Sequence, residues 1–301
     1  QMFGELLGLS LAQAWLNQGA PSPFTLAELG PGRGTLMADL LRATKGVPGF
    51  HDAAQIHLVE ASPALRAAQE KALAGYDVQW HGSIGALPKQ PLFLVANEFF
   101  DALPVRQFLR SGDAWQEKLV GLEDGKLAFG LGSAAPQPAL AHRLEDTRDG
   151  DLVELCSGAG SITEQIAARI AAHGGAALIV DYGDWRSLGD TLQALRHHAR
   201  AEVLDTPGNA DLTTHVDFET LTLAAKSAGC AFARLCPQGV FLERLGISRR
   251  AQALAAKLDG DPLNQLIAAH RRLTHPEEMG NLFKVLGLYP AGGTPPPGLE
   301  A

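Results

Sequence analysis

Three short stretches carry the side chains that could do chemistry. The first is Glu28-Leu29-Gly30-Pro31-Gly32-Arg33-Gly34-Thr35, in which three glycines alternate with other residues directly after an acid. Glycine suits positive φ angles in a tight turn and leaves out the Cβ where backbone must approach a ligand. The second is Glu60, at the end of the apolar run Gln55 to Glu60, where an acid can accept hydrogen bonds from both hydroxyls of a ribose. The third is Asn97-Glu98-Phe99-Phe100-Asp101-Ala102-Leu103-Pro104, which sets an amide, two carboxylates and two aromatics at the end of Pro91 to Ala96.

The dinucleotide pattern G-x-G-x-x-G fails, because Thr35 stands where its last glycine should be. No Gly-Lys-Ser or Gly-Lys-Thr is present, so a phosphate-binding P-loop is also excluded. A nucleoside cofactor without a phosphate chain remains, and S-adenosyl-L-methionine fits. Its sulfonium and α-ammonium are positive, so Glu28 and the Asn97-Glu98 pair suit it where they would repel a phosphate. The expected cofactor contacts are Glu28, Gly30, Gly32, Gly34, Glu60 and Asn97. A nicotinamide-dependent oxidoreductase is the first alternative, since Glu60 would serve either nucleoside. A cofactor-binding assembly chaperone without catalysis is the second, and a small-molecule methyltransferase the nearest enzymatic one.

Elements must carry these groups to one place. Phe24 to Leu29 reads as a buried strand, and Thr35, Leu36, Leu40 and Leu41 recur at helical spacing after the loop. A second strand ends at Glu60, with Ser62 as N-cap and Pro63 opening the next helix. Val78 to His81 is a short third strand and Pro91 to Glu98 a fourth. In an open α/β sheet, ligands bind at strand ends where the order reverses, so strands one and four should face one crevice. Phe3, Leu6, Leu7, Leu11 and Trp15 mark an amphipathic helix over residues 2 to 17.

Downstream, short alternating strands surround Glu123-Asp124-Gly125, a hairpin turn. Asp151 to Leu155 is another strand, followed by a helix through Ile162, Ile166 and Ile170 and a buried strand ending in Asp181-Tyr182-Gly183. A strand at Thr191 to Leu195, a helix over Asp217 to Ala228 and closing strands at Cys230 to Leu235 and Phe283 to Leu288 complete the pattern. The proline-rich Gly292 to Gly298 is expected to be mobile. The reading is α/β: a Rossmann-like sheet with helices on both faces, a β-rich insertion and an α/β C-terminal extension, which the resemblance set out below makes a class I methyltransferase sheet. It forms one domain over 1–301, with the helix at 1–18, the core from 24, the insertion at about 105–150 and the extension at about 192–301.

Thirty-three acidic against twenty-five basic residues give a net charge of −8, which argues against nucleic acid as a partner. Apolar runs such as Ala176 to Val180 are far too short to span a bilayer, so no membrane insertion is expected. Cys156, Cys230 and Cys236 lack the spacing of a zinc site or a disulfide framework, and His197-His198 lacks companion ligands and reads as surface; no metal is expected.

The glycine loop, Val59-Glu60-Ala61-Ser62-Pro63, the Asn97 to Pro104 run, Asp181-Tyr182-Gly183, Ala210 to Phe218 and Gln238 to Gly246 together resemble the MidA family, through nearly the whole chain. That resemblance implies a class I S-adenosylmethionine-dependent methyltransferase whose mitochondrial members methylate an arginine on a core subunit of respiratory complex I during assembly. Family members carry a Gly-Asp-Phe-x-Thr-Ser-Pro-Glu type segment ahead of the Gln-Met-Phe-Gly-Glu stretch. The sequence here lacks it, so an upstream segment is expected to be missing and the cofactor pocket incomplete. Paired carboxylates can grip a guanidinium bidentately, which assigns Glu98 and Asp101 as catalytic residues. Glu98 is alternatively a contact for the cofactor's amino group. His215 either shapes the substrate pocket or is structural, and Asp181 and Tyr182 admit both readings. The compartment is the cytoplasm of a bacterium or the mitochondrial matrix of a eukaryote, and the oligomeric state is left open.

Overall fold

The structure is a computed structural model that describes residues 1–197, 199–205 and 207–300; His198 lies outside them. Helix α1 (Met2–Asn17) leads into β1 (Phe24–Leu29), and the glycine loop then opens α2 (Thr35–Thr44). After α3 (Phe50–Ala53) come β2 (Ala54–Val59), α4 (Pro63–Ala72), β3 (Val78–His81) and β4 (Leu92–Asn97). Ser62 caps α4 as its sequence suggests, its hydroxyl accepting from the Leu65 N–H.

The chain then leaves the sheet to make β5 (Arg106–Ser111), β6 (Ala114–Glu123), β7 (Lys126–Leu131) and β8 (Leu152–Leu155), and returns through α5 (Ser157–His173) to β9 (Gly175–Asp184). A small arm follows, built of β10 (Gln193–Arg196), β11 (Ala199–Ala201) and β12 (Asp211–Thr213). The remainder runs β13 (Val216–Asp217), α6 (Phe218–Ser227), β14 (Cys230–Phe232), β15 (Cys236–Pro237), α7 (Gln238–Arg244), α8 (Ile247–Ala255), α9 (Gly260–Thr274) and β16 (Phe283–Pro290).

The central sheet has the order β14-β16-β9-β4-β1-β2-β3. Its strands from β9 to β3 are parallel, while β16 runs antiparallel to both β9 and β14. Strand β1 lies between β2 and β4, so the order reverses there. Alternation along β1 sends Phe24 and Leu26 into a core shared with α1 and α2, and Ala27 and Leu29 into a second core shared with α5 and α6. Each large side chain so buried stabilises the fold by roughly 1.5–3 kcal/mol.

Strand β8 does not join this sheet. It pairs antiparallel with β5 and completes a separate four-stranded sheet, β7-β6-β5-β8. Its pattern explains why: a central strand is apolar on both faces, whereas β8 puts Val153 against Phe108, Trp115 and Leu140 on one side and Glu154 beside Gln107 on the other. Cys230–Phe232 and Phe283–Pro290 are strands of the central sheet itself.

The proline-rich tail is docked, contrary to the expected mobility. Ser10 donates to the Pro297 carbonyl at 2.8 Å, Leu299 is buried in the α1 core, and Gly298 lies so close to Phe241 that an added Cβ would sit 2.8 Å from the ring. Pro296 and Leu299 also cover Gly287 of β16.

Candidate active site

Register brings the three stretches together. Leu29 of β1 is paired with Val59 on one side and Ala96 on the other, so the next residues, Gly30, Glu60 and Asn97, emerge level at the carboxyl ends of three adjacent strands. The Gly30 N–H donates to the Val59 carbonyl at 3.1 Å. An added Cβ at Gly30 would meet the Phe99 ring at 2.9 Å, so the glycine loop and the β4 turn are in contact. Gly32 has φ +52° and no atom within 4 Å of where a Cβ would be, which leaves its outer face open to a ligand. Gly34 is the N-cap of α2, at φ +78°.

Glu28 is buried beneath this loop, and its Oε2 has no hydrogen-bond partner among the described residues. Burial pushes its carboxyl up to about 8, against a smaller opposing effect of the Met37 N–H. An orphaned, desolvated carboxyl under a glycine cradle is a place for a cation. Glu60 is held firmly: Oε1 accepts from the Ser62 N–H at 2.8 Å and Oε2 from Gln69 Nε2 at 3.2 Å.

Gln69 is a residue that sequence reasoning missed. It is fully buried, and Nε2 donates also to the Gly32 carbonyl at 2.8 Å while Oε1 accepts from Trp80 Nε1 at 2.9 Å. One amide thus joins the glycine loop to the acid of β2. Nothing in the Ala-rich helix around it sets this glutamine apart.

The β4 turn is shaped by strain and by a buried carboxyl. Glu98 has φ +49°, a left-handed conformation that is uncommon for a residue with a side chain and that aims it out of the strand. Asn97 Nδ2 donates to Glu98 Oε1 at 3.3 Å. Although its side chain opens to solvent, desolvation by the surrounding walls raises the Glu98 carboxyl; Asn97 opposes this, Asp101 adds to it, and Arg272 of α9 lowers it. Sequence reasoning did not place Arg272 near this site.

Asp101 is buried, with Oδ1 unpartnered among the described residues. Burial raises it above the ordinary carboxylate range, while the Tyr182 phenol and the Ala102 N–H pull it down. Tyr182 is itself raised, mainly by burial, and its ring packs edge-on against His215 at 5.4 Å. Asp181 is fully buried and faces the backbone rather than the crevice. A cavity of about 340 Å³ opens from Asp101 between the β5–β8 sheet and the arm, lined by Leu103, Pro104, Val105, Phe129 and Leu212 among others.

A parallel sheet reversing at a glycine loop, with one antiparallel strand inserted near its edge and acids at the ends of β1, β2 and β4, defines a class I S-adenosylmethionine-dependent methyltransferase. Residues 6–236 match a family profile described as "Putative S-adenosyl-L-methionine-dependent methyltransferase", and the chain belongs to that family. Among curated relatives, "Protein arginine methyltransferase NDUFAF7, mitochondrial" of Danio rerio is 39% identical over 94% of this chain and 73% of its own length. The Homo sapiens protein of the same name is 35% identical over 96% of this chain and 71% of its own. A Burkholderia thailandensis structure bound to S-adenosyl-homocysteine superposes with a TM-score of 0.80 at 27% identity, covering 100% of this chain and 77% of that one.

The cofactor is S-adenosylmethionine, and the residues present suit it. Positive groups find acids and no phosphate cradle, and Gly32 offers an open backbone. The nicotinamide alternative is set aside by the family. Among the described residues, no helix is long and apolar enough to cross a membrane.

Proposed function

We propose that this chain transfers a methyl group from S-adenosylmethionine to a guanidinium nitrogen of an arginine in a protein, and that the protein is a core subunit of respiratory complex I, as the MidA resemblance implies. The observation that carries this reading is the pair Glu98 and Asp101 at the end of β4, two carboxyls raised by desolvation, of which Asp101 lines the cavity and has a buried oxygen without a partner among the described residues. The relatives' name as protein arginine methyltransferases supports the same acceptor.

Bound S-adenosylmethionine supplies an electrophilic methyl on its sulfonium. The protein's part is to present a nitrogen to it. A guanidinium is a weak nucleophile that stays protonated near neutral pH. Glu98 and Asp101 would grip it by charge-assisted hydrogen bonds, aim one nitrogen and hold the remaining positive charge. An arriving cation relieves the cost of their buried negative charge, so binding restores the ionised form. When the nitrogen gains carbon it must lose a proton, and Glu98 would take it. Glu28, Gly30, Gly32, Gly34, Glu60 and Asn97 would hold the donor.

Incubation with labelled S-adenosylmethionine and an isolated complex I core subunit, followed by mass spectrometry of the arginines, tests the reading. Methylarginine is the expected product. Binding of the subunit without incorporated label would replace this reading by that of an assembly chaperone.

A further inference from the structure

We propose that one face of the β6–β7 hairpin is the docking surface for the protein substrate, taking an extended stretch with apolar residues beside the acceptor arginine. The inference rests on the proposed protein-arginine acceptor.

The register places Lys118 opposite Leu131, Val120 opposite Phe129 and Leu122 opposite Leu127. Directly paired residues, and those two apart, share a face. All six therefore lie on one side, and the five apolar ones are exposed: Val120 54%, Leu122 75%, Leu127 39%, Phe129 40% and Leu131 52%. The opposite side of the hairpin carries Leu119 with the small residues Gly121, Ala128 and Gly130. A contiguous exposed apolar sheet face marks an interaction site more often than an idle surface.

Two observations say what covers it. The face is continuous with the candidate site, because Val120 and Phe129 line the same cavity as Asp101. Charge is arranged to match. Among the described residues, Lys118 is the one cation of this face, and Asp190 at 2.6 Å and the Phe129 ring, 4.1 Å from Nζ, neutralise and cover it. An arginine can therefore pass along an apolar wall whose own cation is already neutralised, burying its methylene stem on the way and delivering its head to Asp101. The neighbouring apolar residues of the substrate would lie on Leu122 and Leu127, beyond the cavity.

Fluorescent peptides with a single arginine, flanked either by leucine and phenylalanine or by serine and aspartate, test this with the full chain. Binding is compared between wild type and Leu122→Glu/Leu127→Glu. S-adenosyl-homocysteine titration checks the fold, and light scattering gives the oligomeric state. The expected result is at least tenfold tighter binding of the apolar-flanked peptide to wild type, lost in the variant at unchanged S-adenosyl-homocysteine affinity. Equal binding by both proteins, or a wild-type dimer that the variant splits, would overturn the proposal, the second by giving the face to another copy of the chain. Hairpin-dependent binding without methyl transfer would sustain the surface and remove the acceptor reading. Methyl transfer that ignores the hairpin would do the reverse.

Discussion

Asp181 Oδ2 accepts a hydrogen bond from the Phe100 N–H at 3.0 Å, and the same oxygen accepts from Phe99 at 3.2 Å and Asp101 at 3.3 Å. Its other oxygen accepts from the Tyr182 N–H at 3.0 Å. A carboxylate from β9 therefore folds the turn of β4 around itself and sets the directions of Glu98 and Asp101. Burial and the nearby Asp101 raise its own pKa well above the ordinary value, and the converging backbone donors oppose that rise. Asp181→Ala would orphan these donors at about 1–3 kcal/mol each. It should cost at least about 2 kcal/mol in urea unfolding and most of the turnover, whereas Asp181→Asn, which keeps an acceptor oxygen, should retain more of both. Equal damage by the two substitutions would contradict this role.

Glu98→Gln and Asp101→Asn should each lower turnover by about 100-fold, as expected when a charged transition-state contact is lost, with S-adenosyl-homocysteine affinity changed far less. Both carboxyls are raised above their ordinary values, by burial first. Wild-type kcat/KM should therefore fall on acidification at a pH above the usual carboxylate range. Each single variant should shift or flatten that step; a profile unchanged in both would remove them from the reaction.

Glu28 couples the donor site to protons. Its folded-state pKa of about 8 lies above the ordinary 4.5. Between those values the native chain holds a proton that the unfolded chain has lost, so stability falls as pH rises across the interval, by up to about 1.4 kcal/mol per pH unit. Glu28→Gln should flatten this slope. An ammonium at Oε2 would restore the ionised form, so calorimetry in buffers of different ionisation enthalpy should show proton release when S-adenosyl-homocysteine binds near neutral pH. Absence of proton release in wild type would place the ammonium elsewhere.

Gln69→Leu keeps the volume but removes the donor to Gly32 and Glu60 and leaves Trp80 Nε1 without its acceptor. We expect S-adenosyl-homocysteine to bind about tenfold more weakly, in line with the roughly 1.4 kcal/mol of one net hydrogen bond. Pairing this change with Glu60→Gln should give a non-additive loss, because the two side chains act on one loop. Strict additivity would show that Gln69 does not act through Glu60.

Gly30 and Gly32 should separate stability from binding. Gly30→Ala drives a methyl into Phe99 and should destabilise the fold by about 1–3 kcal/mol. Gly32→Ala meets only open space, so beyond the cost of its positive φ its effect should fall on S-adenosyl-homocysteine affinity. Thermal melts with and without ligand distinguish the two.

Features written in local order were legible in the sequence. The glycine loop, the Ser62-Pro63 cap, the Glu123-Asp124-Gly125 hairpin and the acids at strand ends all follow from neighbours a few residues apart. Long-range relations were hidden. The pairing of β8 with β5 rather than the central sheet depends on Glu154 meeting Gln107 across a gap in the chain, and an isolated Leu-Val-Glu-Leu does not announce its partner. Asp181, ending a buried strand, admitted both a structural and a functional reading, and its oxygens turn to the backbone of residues 99–101 and Tyr182. Composition alone made the proline-rich tail look free, while Phe241, Ser10 and Gly287 provide its seat.

The insertion of β16 between β9 and β14 has a consequence for how the molecule is made. Val285 belongs to one hydrophobic layer and Leu286 and Leu288 to the other, so neither layer is sealed until this strand is in place. On the ribosome, β9 emerges long before its neighbour, with an unpaired edge and Leu178, Ile179 and Val180 uncovered on that side. A nascent chain stopped short of Phe283 should therefore be sticky and in need of a holdase, and solubility should return only once the last strand is released.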